Sequence, residues 1–121
     1  MKTILFIEDE QHLQKILGLR LGKEGFKVLN ALNGEAGLKL AKEKKPDLIL
    51  LDIIMPLKDG SEIFETLKKD PETKDIPVMI LTNLDTERDI QKMLELGATT
   101  YLIKADYSLN DLVTKIKEAC S

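Results

Sequence analysis

Short apolar runs alternate along the chain with longer segments in which apolar residues recur at helical spacing. The runs are Ile4–Ile7, Val28–Leu32, Leu48–Leu51, Val78–Leu81 and Tyr101–Ile103. Each has strand length and most are rich in isoleucine, leucine or valine, which predicts five β-strands. Between them, Leu13, Ile16, Leu17, Leu19 and Leu21 predict a first helix ending near Gly25. Ala36, Leu38, Leu40 and Ala41 predict a second that ends before Pro46. Ile63, Phe64 and Leu67 predict a third that stops by Pro71. Ile90, Met93, Leu94 and Leu96 predict a fourth, with Gly97 as its C-cap. Leu109, Leu112, Val113 and Ile116 predict the last, opened by Ser108 as cap with Asp111 at the capping-box position.

Repeated strand–helix alternation argues for an α/β fold with a parallel sheet. A central strand covered on both faces is apolar throughout, and "LILL" at Leu48–Leu51 has that character. The polar, proline-bearing stretch "KKDPETKDIP" reads as a surface loop between the third helix and the fourth strand. No repeat, low-complexity segment or linker divides the chain, so its 121 residues are expected to form one domain, 1–121.

Composition narrows the class. With 43% hydrophobic and 32% charged residues the default is a soluble globular protein. A net charge of -3 leaves no whole-chain footprint for nucleic acid. The single cysteine, Cys120, rules out a disulfide framework within the chain and fits a reducing compartment. No apolar run has the length of a membrane span, and "MKTILFIEDE" lacks a signal peptide's long apolar core. A cytoplasmic location without a membrane partner is the expectation.

Sites in open parallel sheets form beyond the carboxyl ends of the strands. The first strand ends in Glu8, Asp9 and Glu10, the third in Asp52, the fourth in Thr82 and Asn83, the fifth in Lys104. After the second, Asn33 and Gly34 look like turn and cap chemistry. Clustered carboxylates about 4 Å apart repel by roughly 4 kcal/mol at an effective dielectric near 20. They need a cation, or some must stay protonated. A few carboxylates with no further cage suit Mg²⁺, which keeps waters and shares its sphere with a phosphate. The lysine and the hydroxyl then serve as donors to an anion. Together they describe an aspartyl-phosphate site.

These residues resemble the receiver domain of bacterial two-component response regulators, the group that includes the single-domain chemotaxis regulator. The resemblance covers the whole chain and rests on "FIEDE" after the first strand, "LLDIIMPLKDG" around the third, "ILTN" at the fourth and "GATTYLIKA" at the fifth. It implies a doubly wound, flavodoxin-like sheet of five parallel strands in the order 2-1-3-4-5, with five helices. It implies that Asp52 accepts a phosphoryl group from a sensor histidine kinase or phosphotransfer protein. Glu8, Asp9, Asp52 and the backbone carbonyl of Ile54 would bind Mg²⁺, with Mn²⁺ as an alternative. Thr82 and Lys104 would contact the phosphoryl oxygens. Thr82 and Tyr101 would form the switch, and the fourth helix, fifth strand and fifth helix would present a face to an unknown output protein. Such a chain is a signalling acceptor, catalysing only its own phosphotransfer and dephosphorylation. It works as a monomer or a phosphorylation-dependent dimer.

Blander readings stand beside these. Tyr101 also suits a half-buried edge-strand tyrosine. His12 reads as an exposed helical residue, Glu10 as serving the helix dipole or solvent only, and Cys120 as incidental on a fraying terminus. A receiver-like module that no longer accepts phosphate is the main alternative. A haloacid-dehalogenase-type hydrolase wants a second aspartate where Ile54 stands. A flavin carrier of flavodoxin type wants a glycine- and hydroxyl-rich loop where "IEDEQ" stands.

Four positions set this chain apart from the family. Ala105 follows Lys104 where the family has a cis proline. A cis bond to alanine costs about 2.5–4 kcal/mol against about 0.5–1 for proline, so a trans peptide is expected. Asn83 replaces a small residue beside the phosphoryl pocket, where its amide either donates to phosphate or restricts access. Ile54 and Leu84 occupy positions that in the family flank the path of the hydrolytic water. Two apolar groups there cannot orient water as an acid or amide does, which predicts slow autodephosphorylation. Ile54→Asn and Leu84→Glu should each change the decay rate of the phosphorylated protein, followed by intact mass after the donor is removed. Equal decay in all three proteins contradicts this role.

Overall fold

The strict two-residue alternation inside each apolar run sets the layers of the computed structural model, which describes residues 2–52, 60–82, 87–98 and 100–120. In chain order the elements are β1 (Thr3–Ile7), α1 (Gln11–Lys23), β2 (Lys27–Ala31), α2 (Gly34–Lys44), β3 (Leu48–Leu51), α3 (Gly60–Lys69), β4 (Val78–Thr82), α4 (Glu87–Glu95), β5 (Thr100–Ile103) and α5 (Leu109–Cys120). One turn of 3-10 helix, Lys104–Asp106, joins β5 to α5. The strands form one parallel sheet in the order β2-β1-β3-β4-β5, as the resemblance implied.

Successive side chains of a strand point to opposite faces. Ile4 and Phe6 of β1 and Leu48 and Leu50 of β3 pack with Leu17 and Leu21 of α1 and Leu112, Val113 and Ile116 of α5. Leu5, Ile7, Ile49 and Leu51 pack on the other face with Ala41 of α2, Ile63, Phe64 and Leu67 of α3, and Met93 of α4. All four residues of β3 are fully buried, which is why "LILL" carries no polar side chain. Each such side chain contributes about 1.5–3 kcal/mol on burial.

Helix ends follow their local chemistry. Asn33 caps α2 by accepting from Ala36 N at 2.9 Å. Ser108 and Asp111 form the expected box, with Asp111 N donating to Ser108 Oγ at 3.1 Å and Ser108 N to Asp111 Oδ2 at 3.4 Å. Gly97, at φ 105°, closes α4 while Ala98 N reaches back to Met93 O at 3.0 Å.

Several sequence expectations change. Leu19 is 62% exposed because the buried stripe of α1 runs through Gln14, Leu17 and Leu21, and Leu19 falls on the opposite side. Leu94 and Leu96 are also exposed, and β2 stops at Ala31, leaving Leu32 outside the strand. The loop before β4 is not all surface: Thr73 is buried and its hydroxyl donates to Leu67 O at 2.6 Å. Cys120 does not fray. It is buried in the layer of α1 and α5.

Two glycines separate packing from propensity. A Cβ on Gly37 would sit 2.5 Å from Ile7 Cδ1 and 2.7 Å from Cγ1, against a side chain that is itself fully buried. A Cβ on Gly22 would meet nothing within 4 Å. Gly37→Ala therefore incurs overpacking of about 1–3 kcal/mol, more than the helix-propensity gain of about 1 kcal/mol, and should destabilise. Gly22→Ala should stabilise by up to about 1 kcal/mol. Urea unfolding of the two variants, with shifts of opposite sign, checks the packing of α2 on β1.

Candidate functional site

The two central strands set the site. Ile7 of β1 pairs with Leu51 of β3, so the next residues, Glu8 and Asp52, leave the sheet side by side. Both are fixed by backbone bonds: Glu8 N donates to Ala31 O at 3.0 Å and Asp52 N to Ile7 O at 3.1 Å. Beyond β1 the chain turns into α1 on one face, and α3, which follows β3, packs on the other. That divergence opens the crevice in which doubly wound folds bind ligands. Thr82, fully buried, ends β4 opposite Ile103, and Lys104 follows directly.

Glu8, Asp9 and Asp52 each place one carboxylate oxygen within 4.8 Å of the others. Glu8 is fully buried and Asp52 nearly so, while Asp9 is exposed. Lys104 Nζ donates to Glu8 Oε1 and, at 3.0 Å, to Asp52 Oδ2. It also lies 3.6 Å from Glu10 Oε2, so Glu10 belongs to the cluster and does not serve the helix dipole or solvent alone. Nothing in the sequence separated Glu10 from an ordinary exposed helix-start acid, since only the return of Lys104 from the far end of the chain gives it a partner.

Among the described residues one ammonium faces two buried carboxylates and their exposed neighbours. Burial raises the Glu8 carboxyl from 4.5 to about 8, and the adjacent Asp52 pushes the same way against the weaker pull of Lys104. Burial alone would lower the Lys104 ammonium, but Glu8 and Asp52 outweigh it and raise its pKa. Glu8 Oε2 is buried with no hydrogen-bond partner among the described residues. A buried carboxyl oxygen without a partner, in a set of hard oxygen ligands, fits a small divalent cation that would displace the proton.

The structure thus brings together Glu8, Asp9, Asp52 and Lys104, with Thr82 at the adjoining strand end. Tyr101 is half-buried one step back, paired with Ile80 and packed against the layer of α2, α3 and α4. Ile54, Asn83 and Leu84 lie outside the described residues. No peptide bond among the described residues is cis, which includes Lys104–Ala105.

Residues 4–117 match the family model of the response regulator receiver domain. The chain is 38% identical over 104 residues to the transcriptional regulatory protein AfsQ1 of Streptomyces coelicolor, covering 86% of this chain and 45% of that protein. It spans about half the length of the curated relatives it matches. The non-phosphorylated HemR receiver domain of Leptospira biflexa superposes with a TM-score of 0.92 at 26% identity, covering 100% of this chain and 95% of that one. The Mn²⁺-bound form of response regulator Rcp1 superposes with a TM-score of 0.80 at 29% identity, covering 98% and 91%.

The raised Glu8 carboxyl makes the stability of the metal-free protein depend on pH. Below 4.5 both folded and unfolded chains carry the Glu8 proton, and between there and about 8 only the folded chain does. Stability contributed by Glu8 is therefore lost as pH rises through that window. In EDTA the urea midpoint should be lower at about pH 8.5 than at about pH 6, and Glu8→Gln should shrink the difference. An unchanged difference in that variant contradicts the assignment.

Proposed function

The chain belongs to the response regulator receiver family, and on that premise we propose that Asp52 is the carboxylate that accepts the phosphoryl group. One observation carries this reading. Asp52 is a nearly buried acid at the mouth of the central strand, held at 3.0 Å by Lys104 and flanked by Glu8 and Asp9. Its backbone is anchored to β1, so the side chain is presented without a costly reorganisation.

Receiver domains typically bind Mg²⁺ at such an acidic site, and Rcp1 has been seen with Mn²⁺. Here Glu8, Asp9 and Asp52 would hold the ion, with the carbonyl of Ile54 as a further ligand. Once bound, it would supply positive charge against the negative charge that gathers on the transferring oxygens. Asp52 attacks phosphorus as the bond to the donor's phosphohistidine nitrogen breaks. Lys104 Nζ stands at the same carboxylate and pairs with the oxygens of the product, which carries close to two negative charges. Thr82, at the end of β4, turns its hydroxyl toward that new anion.

Those two residues sit at the ends of β4 and β5, and Tyr101 lies on β5 itself. A shift of both strand ends toward the phosphoryl group gives Tyr101 a second position. The face formed by α4, β5 and α5 then changes for an output partner. The domain spans residues 1–121, works in the cytoplasm, and takes its phosphoryl group from a sensor histidine kinase or phosphotransfer protein. Asn83, Ile54 and Leu84 tune how long the phosphate lasts.

Incubation with Mg²⁺ and acetyl phosphate or phosphoramidate should add one phosphoryl group to the intact mass of the wild type and none to Asp52→Asn. A wild type inert to both donors and to beryllofluoride is instead a receiver-like module that does not accept phosphate.

A further inference from the structure

The loop that carries Glu8, Asp9 and Glu10 lacks the fastening found after β2. α2 opens on the Asn33 cap, whereas α1 opens on Glu10, whose side chain makes no capping bond. An uncapped helix start leaves its first N–H groups unfastened and frays. Here the segment is tied down through carbonyls instead, without capping those N–H groups. Gln14, in the second turn of α1, is only 5% exposed, and its Nε2 donates to Phe6 O at 3.2 Å and to Ala31 O at 2.9 Å. The same Ala31 carbonyl accepts the Glu8 N–H at 3.0 Å, and Gln14 N bonds Glu10 O at 3.1 Å. The amide thus ties the start of α1 to the last rung of the β1–β2 ladder, and Glu8, Asp9 and Glu10 lie inside the ring it closes.

A buried amide is costly unless its hydrogen bonds are made, and a leucine or methionine would fill this place on the core stripe as well. What glutamine adds is the pair of donors. We propose that Gln14 is a positioning residue for the acidic site: its side-chain amide fixes the backbone from which Glu8 and Asp9 reach the cation. This rests on the receiver reading of that site. Gln14 touches neither the cation nor the reacting atoms and acts through the main chain of β1 and β2. Partners that hydrogen-bond a ligating side chain directly typically change metal affinity about ten- to a hundred-fold when removed, and Gln14, acting one step further out, belongs at the low end of that range.

The test is Mg²⁺ titration by calorimetry on three proteins. They are the wild type, Gln14→Met, which keeps the volume and loses both donors, and Thr73→Val, which loses a buried side-chain bond to a carbonyl far from the site. Gln14→Met should bind Mg²⁺ about ten-fold more weakly, while Thr73→Val binds as the wild type does. Equal binding by Gln14→Met, or an equal loss in both variants, overturns the proposal while leaving the receiver reading intact. A wild type that binds no Mg²⁺ overturns both. Should Gln14→Met fail to fold, the side-chain amide protons of Gln14 in the wild type decide. They should exchange slowly and shift on Mg²⁺ addition with the same midpoint as the Asp9 backbone amide, and an unmoved signal overturns the proposal.

Discussion

Among the described residues a single ammonium, Lys104, stands between two buried carboxylates, Glu8 and Asp52. The arrangement at the carboxyl edge of the sheet is organised around that contact. Burial, reinforced by the neighbouring Asp52, raises the Glu8 carboxyl against the pull of Lys104, and Glu8 Oε2 has no hydrogen-bond partner among the described residues. The described residues thus gather more carboxylate than ammonium at this edge, a set of hard oxygen ligands that fits a divalent cation.

The scaffold makes this tolerable. The register of β1 on β3 forces Glu8 and Asp52 together, and the main-chain bonds of Glu8 N and Asp52 N keep them there. Both faces of the sheet are sealed by leucine, isoleucine and valine, so the strand ends cannot relax apart without exposing a core. The repulsion is confined to the edge, where water and ligands have access through Asp9 and Glu10, the exposed members of the cluster.

Much of this was legible in the residues. Alternation of strands and helices gave the layers, "LILL" marked the central strand, and the acids, hydroxyl and lysine after successive strands gave the site. What escaped had partners distant in sequence. Glu10 looked like a solvent-facing acid until Lys104 arrived beside it. Nothing in the local sequence singles out Gln14, because its value lies in two carbonyls, Phe6 and Ala31, contributed by different strands. Leu19 matches an apolar spacing that the helix does not bury, Thr73 is buried within a stretch that reads as a surface loop, and Cys120 is buried where a chain end reads as fraying. Periodicity reports which face is apolar, but a specific hydrogen bond between distant segments leaves no periodic trace.

Burial favours a proton on Glu8, which a divalent cation entering the acidic pocket would displace. Calorimetric titration of Mg²⁺ into the wild type at about pH 7, repeated in buffers of different ionisation enthalpy, measures that proton directly. With the Glu8 carboxyl raised by burial, binding should release protons, and Glu8→Gln should release fewer. Mg²⁺ binding without proton release in the wild type would contradict the account.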